Sequence, residues 1–164
     1  RMCIPYIYAH LEGFVVESFK LLITYLNNEH LDKKMVINEL YTFSLQNVLK
    51  PLAGKQSFEQ SYQFVEDFDK ELYIDTSLLS ANSNLNYKQM TNILSKFGME
   101  NCLEGYKEDI NQLVNQRNSI AHGENGIIIE EKHVSNKISV LQELFDSIIL
   151  EFEKYLSQKM YLKR

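Results

Sequence analysis

Hydrophobic residues recur every three or four positions along most of the chain, which is the spacing of an amphipathic helix rather than of a strand. The pattern is strongest over residues 4–28, which are predicted to form the first helix. Its apolar face consists of seven residues: Ile4, Tyr8, Leu11, Val15, Phe19, Leu22 and Leu26. A second helix is predicted over residues 33–50. It ends before Pro51, because a proline disfavours helical backbone in the residue that precedes it.

Local capping residues predict the next two helices. Ser57 and Gln60 form a capping box for a third helix over residues 58–73. Residues 75–86 are rich in serine and asparagine and predict a loop. Asn86 then caps a short helix that ends at a glycine.

The last third of the chain predicts two more helices. One runs over residues 106–122 and stops at Gly123, and residues 124–129 follow as a short extended segment. Ser135 caps the final helix, which is predicted to reach about residue 160. Its apolar residues alternate in steps of three and four, the heptad spacing of a helix–helix seam: Ile138, Leu141, Phe145, Ile148, Phe152 and Tyr155.

These elements predict an all-α protein. The expected architecture is a compact up-and-down helical bundle with one or two short extra helices, dimerising through its helices. The chain has 164 residues, of which 45% are hydrophobic, and only two prolines and six glycines. This length suits one domain with a real core, so residues 1–164 are predicted to form a single domain.

Composition also limits where the protein acts and what it binds. No apolar run approaches the ~20 residues that span a bilayer, and no secretory signal is visible, so a cytoplasmic protein without membrane contact is expected. Cys3 and Cys102 are interpreted as reduced thiols. The net charge of -5 argues against a general DNA-coating protein. The native start is expected to lie upstream of Arg1.

Arginine usage draws attention to one short stretch, "LVNQRNSIAHGEN". The chain has three arginines, and Arg117 is the single one away from the ends. Unlike lysine, arginine offers a planar fork that matches a phosphate. On a helix, Asn118 and His122 are neighbours one turn apart, and Arg117 lies on their flank. His122 falls in the last turn, where the helix dipole favours a cation and so suits a general acid.

These residue types are the ones that RNA cleavage needs. RNA carries its own nucleophile, the 2'-hydroxyl, so cleavage requires a base, an acid and positive charge near the phosphate. Two copies of the helix facing each other would supply two arginines and two histidines. No carboxylate–histidine cluster has metal-ligand spacing, so neither a metal nor another cofactor is expected.

The segment "RNSIAH" matches the R-x4-6-H motif of the HEPN superfamily, with the polar residue that usually follows the arginine. The stretch "SNLNYKQMTNILSKFGMENCLEGYKEDINQLVNQRNSIAHGE" and the opening "IPYIYAHLEGFV" resemble HEPN-like nucleases of prokaryotic toxin and defence loci. The likeness covers most of residues 4–155. One departure is Leu11, where an aromatic residue often stands in that group.

The resemblance implies a homodimeric, metal-independent endoribonuclease with a composite site at the dimer interface. It implies catalytic roles for Arg117, Asn118 and His122, and products with a 2',3'-cyclic phosphate and a 5'-hydroxyl. RNA would be the substrate, and an antitoxin or another defence-system protein would be a further partner.

Plainer interpretations stay open beside this one. Arg117 can pair with a surface carboxylate, and His122 can simply cap the helix end. His10 and Glu12 lie in the family-like opening stretch, where a surface or capping role is favoured. The whole chain can serve as a non-catalytic helical module that binds RNA, nucleotides or a protein partner, or as a structural dimerisation domain, since a fold does not fix a function.

Overall fold

A computed structural model describes residues 2–46, 57–68, 71–79, 84–124 and 130–163. Their secondary structure is helical: α1 (Cys3–Asn28), α2 (Asn38–Ser44), α3 (Phe58–Phe68), α4 (Tyr87–Lys96), α5 (Lys107–Ala121) and α6 (Glu131–Ser157). Short 3-10 helices lie at Thr76–Leu79 and Glu104–Tyr106. Within these ranges there is no strand beyond an isolated bridge between Val36 and Leu162. The all-α prediction is confirmed.

The two predicted capping boxes, at Ser57 and Asn86, lie where the sequence predicts them. At the start of α4, the Asn86 side chain accepts a hydrogen bond from the Gln89 backbone N–H, and the Gln89 side chain accepts one from Asn86. Gly98 follows this helix with φ +65°, a backbone conformation that favours glycine. The capping box of α3 is also present, with Ser57 N–H donating to Gln60 Oε1 at 3.0 Å.

The predicted start of the second helix, at residue 33, is wrong. The helix begins at Asn38, and the residues just before it form turns and the bridge to Leu162. The chain end is the cause: Ile37 N–H donates to the Tyr161 carbonyl at 3.0 Å, and Lys163 N–H donates to the Met35 carbonyl at 2.8 Å. The helix also ends earlier than predicted, at Ser44 with Leu45 as its C-cap, and residues 47–50 at the predicted end lie outside the described residues.

The third helix is shorter than predicted, because residues beyond it bond to distant partners. It ends at Phe68, and residues 71–75 are not helical. The Asn27 side chain bonds both backbone groups of Ile74, at 2.9 Å each, as a neighbouring strand would. Leu72 N–H donates to the carbonyl of Leu31 at 2.8 Å. Part of the predicted loop over 75–86 is the first 3-10 helix, and residues 80–83 lie outside the described ranges.

The last helix starts before the predicted cap. Glu130 is its N-cap, and its carbonyl accepts bonds from His133 and Val134, so Ser135 lies inside the helix rather than at its start. The helix ends at Ser157, a few residues before the predicted end. Of the segment predicted to be extended, residues 125–129 lie outside the described part of the chain.

The heptad seam of α6 packs against its own chain. Leu141, Ile148 and Tyr155 are buried in the core. The ring of Phe145 stacks on Phe14 of α1 with 4.0 Å between centroids, and Phe152 also meets an α1 aromatic ring. Most of the seam is therefore packed within one copy, although Ile138 at its start is 44% exposed, and the seam does not itself argue for dimerisation.

The first helix is the centre of the fold and carries ten buried residues. It packs most extensively against α5, and also against α6 and the first 3-10 helix, while α2 packs against α4. This arrangement sets the beginning of α1 beside the C-terminal half of α5, the helix that carries the Arg-x4-His motif.

Candidate functional site

The end of α5 is a well-formed helix stop that fixes the backbone of His122. This residue is the C-cap, and its N–H donates to the Asn118 carbonyl at 2.9 Å. The N–H groups of Gly123 and Glu124 bond back to carbonyls in the last turn, at 3.1 and 3.0 Å. These are the two bonds of a Schellman motif, which needs a left-handed residue after the cap, and Gly123 supplies it with φ +77°.

Arg117 is half-buried and held on three sides. Its Nη1 donates to Asn118 Oδ1 at 3.0 Å and to Asn84 Oδ1 at 3.3 Å. Its guanidinium carbon lies 5.1 Å from the centre of the Tyr8 ring, within cation–π range. Among the described residues these hydrogen bonds go to amide oxygens rather than to a carboxylate, which disfavours the interpretation of Arg117 as half of a surface ion pair.

Tyr8 joins three parts of the chain at this point. It is a buried residue of α1, and its hydroxyl accepts a hydrogen bond from Leu85 N–H at 2.6 Å while its ring lies against Arg117. Burial raises the pKa of the Tyr8 hydroxyl, the Leu85 N–H and the Arg117 charge lower it, and the Glu12 carboxylate raises it again. The net direction is upward, so Tyr8 stays protonated at neutral pH.

The structure brings two of the three predicted catalytic residues into direct contact. Arg117 and Asn118 are hydrogen-bonded through their side chains, and His122 is joined to Asn118 through its backbone, with its imidazole exposed. His122 is therefore a helix cap, as the plainer interpretation held, but its ring is free to contact a ligand. His10 is exposed and meets Tyr6 edge-on, whereas Glu12 is half-buried.

Two residues around Arg117 were not predicted from the sequence. Tyr8 was assigned only to the apolar face of α1, although a buried tyrosine hydroxyl usually has a hydrogen-bond partner. Asn84 lies in a polar stretch that gave no reason to choose one asparagine over another. No sequence signal would have found Asn84, because its contact with Arg117 joins residues 33 positions apart.

In the described ranges, no group of three or more His, Cys, Asp or Glu side chains is arranged to hold a metal ion. Cys3 and Cys102 are free thiols, and burial raises the pKa of Cys102. None of the described helices combines the length and apolar character needed to cross a bilayer.

A helical bundle that presents an arginine, a polar residue and a histidine at the end of such a helix has the features of a HEPN protein. The family model described as RiboL-PSP-HEPN matches residues 1–154, and the chain therefore belongs to that family. Comparison with curated proteins and with solved structures gave no match. Membership confirms the predicted superfamily and points to a nuclease-type or RNA-related function.

Proposed function

We propose that this protein is a metal-independent endoribonuclease that acts as a toxin or defence effector. The observation that carries the proposal is the pairing of a half-buried, pre-oriented Arg117 with an exposed His122 at the end of the same helix. RNA is the substrate, and an antitoxin or another defence-system protein is the proposed regulatory partner.

Arg117 is the phosphate ligand in this proposal. Its Nη1 is held by two amide oxygens and its face by the Tyr8 ring. The edge formed by Nε and Nη2 would then bind two phosphate oxygens together. Because the neighbouring side chains already order the guanidinium, little entropy is lost when RNA binds, and the positive charge is in place as the transition state forms.

His122 is the proton-transfer group. A base removes the proton from the 2'-hydroxyl, the 2'-oxygen attacks phosphorus, and the bond from phosphorus to the 5'-oxygen breaks as an acid protonates that oxygen. The products are a 2',3'-cyclic phosphate and a 5'-hydroxyl. The 2'-oxygen is the nucleophile, so the chemistry needs no metal.

One chain supplies a single motif histidine, whereas the reaction needs both an acid and a base. Tyr8 is a poor second group, because its hydroxyl is buried, bonded to Leu85 and raised in pKa. We therefore propose a homodimer in which His122 of a second copy faces the first, one imidazole acting as base and the other as acid. Asn118 is proposed to orient the Arg117 side chain of its own copy at this interface.

The direct test is cleavage of total RNA in EDTA by wild type and by His122→Ala. The variant should lose on the order of 10²–10⁴ in rate. The free energy of unfolding should change by only about 0.3–1 kcal/mol, since a helix-end side chain is removed. His10→Ala is the matched control, because His10 is also exposed but lies outside the motif. Normal cleavage by a folded His122→Ala protein would refute the assignment.

Mixing experiments test the composite site. If a dimer needs both histidines, co-refolding wild type with His122→Ala should reduce activity as the square of the wild-type fraction. At equal proportions about one quarter of the activity should remain, against about one half for independent sites. A linear decline would contradict the shared site while leaving cleavage itself intact.

A second candidate function is a non-catalytic module that binds a protein partner. It is favoured by the exposed apolar residues at one-turn spacing on α3, Phe58, Tyr62 and Val65, whose side chains are 79%, 56% and 64% exposed. The EDTA assay separates the two functions. A catalytically silent wild type, together with partner binding that Phe58→Ser weakens, would favour the module.

A further inference from the structure

A polar cavity of about 200 Å³ lies between α1, α5 and α6, and its lining includes none of the residues used in the chemistry above. Three side chains of α5 line it at helical spacing, Asp109, Gln112 and Gln116, and Ile4 of α1 supplies an apolar surface. Asp109 and Gln116 are half-buried, and Ile4 is fully buried. The cavity is therefore a recess between helices rather than a flat patch.

The opposite wall of the cavity comes from α6 and carries positive charge. Lys137 is half-buried, and its Nζ donates to Gln112 Oε1 at 2.9 Å. Burial lowers the pKa of Lys137, while the nearby Asp109 charge acts in the opposite direction. His133, one turn earlier on α6, and Asn136 also line this wall. A carboxylate acceptor and an ammonium donor thus share one small recess, with amide groups between them.

The size of the cavity restricts what it can hold. Drug-sized ligands occupy pockets of about 300–1,000 Å³, and a water molecule takes about 30 Å³ of liquid volume. A volume of about 200 Å³ suits one planar ring system, not a whole nucleotide.

Two residues that line the cavity lie near Arg117 or near Tyr8, which contacts it. Gln116 precedes Arg117 in the chain, and Ile4 lies four residues, about 6 Å along α1, before Tyr8, whose ring contacts Arg117. A sugar spans a similar distance between its base and its phosphate. An RNA whose phosphate meets Arg117 can therefore direct one neighbouring base into the recess.

We propose that this cavity is a nucleobase subsite selective for guanine, which rests on the proposed ribonuclease function. Guanine presents two adjacent donors, N1–H and the N2 amino group, and the acceptors O6 and N7. Asp109 accepts from the donors as an ionised carboxylate, and Lys137 donates to O6 or N7, a pairing that lysine commonly makes with guanine. In the same orientation adenine places the N1 acceptor against Asp109 and the N6 amino donor against Lys137, so neither charge is matched at that edge.

The test uses binding, so that it does not depend on cleavage. Fluorescent 2'-deoxy pentanucleotides carry guanine, inosine or adenine at the centre of a thymidine background, and anisotropy reports their affinity for the wild-type protein. Guanine should bind roughly 10–100-fold more tightly than adenine. Inosine, which lacks the N2 amino group, should fall between them.

Substitutions of the cavity residues test whether the preference for guanine arises in the cavity. Asp109→Asn and Lys137→Gln should each remove most of the guanine advantage. Asp146→Asn and Lys132→Gln, exposed positions on α6 outside the cavity, should leave it unchanged. Equal binding of all three oligonucleotides, no binding of any, or a guanine preference that survives Asp109→Asn would overturn the inference. Cleavage of an all-RNA substrate without guanine preference would overturn the guanine subsite but leave the proposed ribonuclease function standing. Guanine-selective binding without cleavage would support the subsite but contradict the ribonuclease function.

Discussion

Replacement of Tyr8 by phenylalanine should destabilise the fold while leaving the support under Arg117 in place. The hydroxyl accepts a 2.6 Å hydrogen bond from Leu85 N–H, and Leu85 is only 3% exposed. Removing the acceptor leaves a buried donor unpaired, which costs about 1–3 kcal/mol. For a chain of this length, each kcal/mol lowers Tm by roughly 2–4 °C, so thermal and denaturant unfolding would both detect the change.

Tyr155 provides a matched control for this prediction. It is fully buried like Tyr8, but among the described residues its hydroxyl has no hydrogen-bond partner. Tyr155→Phe removes an unsatisfied polar group instead of breaking a bond, so stability should be equal to or above that of wild type. If Tyr155→Phe destabilises as much as Tyr8→Phe, the hydroxyl bond to Leu85 is not the reason for the loss.

Two substitutions of Tyr8 separate its role in fold stability from its role in positioning Arg117. Tyr8→Phe keeps the ring against Arg117, whereas Tyr8→Leu removes the cation–π contact, worth about 0.5–2 kcal/mol. The proposal thus predicts a further loss of roughly 2–30-fold in RNA cleavage for the leucine variant, relative to phenylalanine. The loss should be absent when Arg117 is already replaced by alanine. Equal cleavage by the two Tyr8 variants would show that the ring does not position Arg117.

Three other changes have defined outcomes. Arg117→Lys keeps the charge but loses the planar guanidinium fork, so RNA cleavage should fall on the order of 10²-fold while RNA binding, measured by anisotropy, weakens modestly. Cleavage equal to that of wild type would show that Arg117 acts only as a point charge. Gly98→Ala and Gly123→Ala should each lower the free energy of unfolding, measured with denaturant, by about 1–2 kcal/mol, because both positions have positive φ. Gly98→Ala should lose more, because its new methyl group would lie 2.6 Å from an Ile37 methyl group. A variant as stable as wild type would contradict this. Burial raises the pKa of Tyr155, so the unfolded chain loses that proton first and the free energy of unfolding should fall as pH rises above about 10. The fall should be less steep in Tyr155→Phe, and parallel curves of stability against pH for the two proteins would refute this.

The parts of the fold that could be predicted are those set by neighbouring residues. The Asn86 capping box and the glycines at 98 and 123 act within a few positions, and the helices that they bound were predicted nearly to the residue. The errors at the second and third helices arise where the chain bonds to distant partners, whereas the last helix begins early because Glu130 rather than Ser135 is its N-cap. No local pattern shows that Asn27 will pair with Ile74, or that Tyr161 will bond to Ile37 and prevent an earlier helix start.

The candidate site divides in the same way. Arg117, Asn118 and His122 could be chosen because a helix of known pitch relates them, and because the motif resembles a family pattern. Tyr8 and Asn84 could not, since their contacts with Arg117 depend on how α1 and the segment before α4 pack against α5. The heptad seam of α6 was an ambiguous signal, because an intramolecular core and a dimer interface require the same apolar spacing.

The central claim is that the 2'-hydroxyl of the RNA is the nucleophile and that the protein supplies only charge and proton transfer. The most direct measurement uses a short RNA with one mapped cleavage site, compared in EDTA with the same strand carrying a single 2'-deoxy nucleotide at that site. We expect cleavage of the all-RNA strand to a 2',3'-cyclic phosphate and a 5'-hydroxyl, and an intact deoxy-substituted site. Cleavage of the substituted site at the rate of the RNA strand would contradict it.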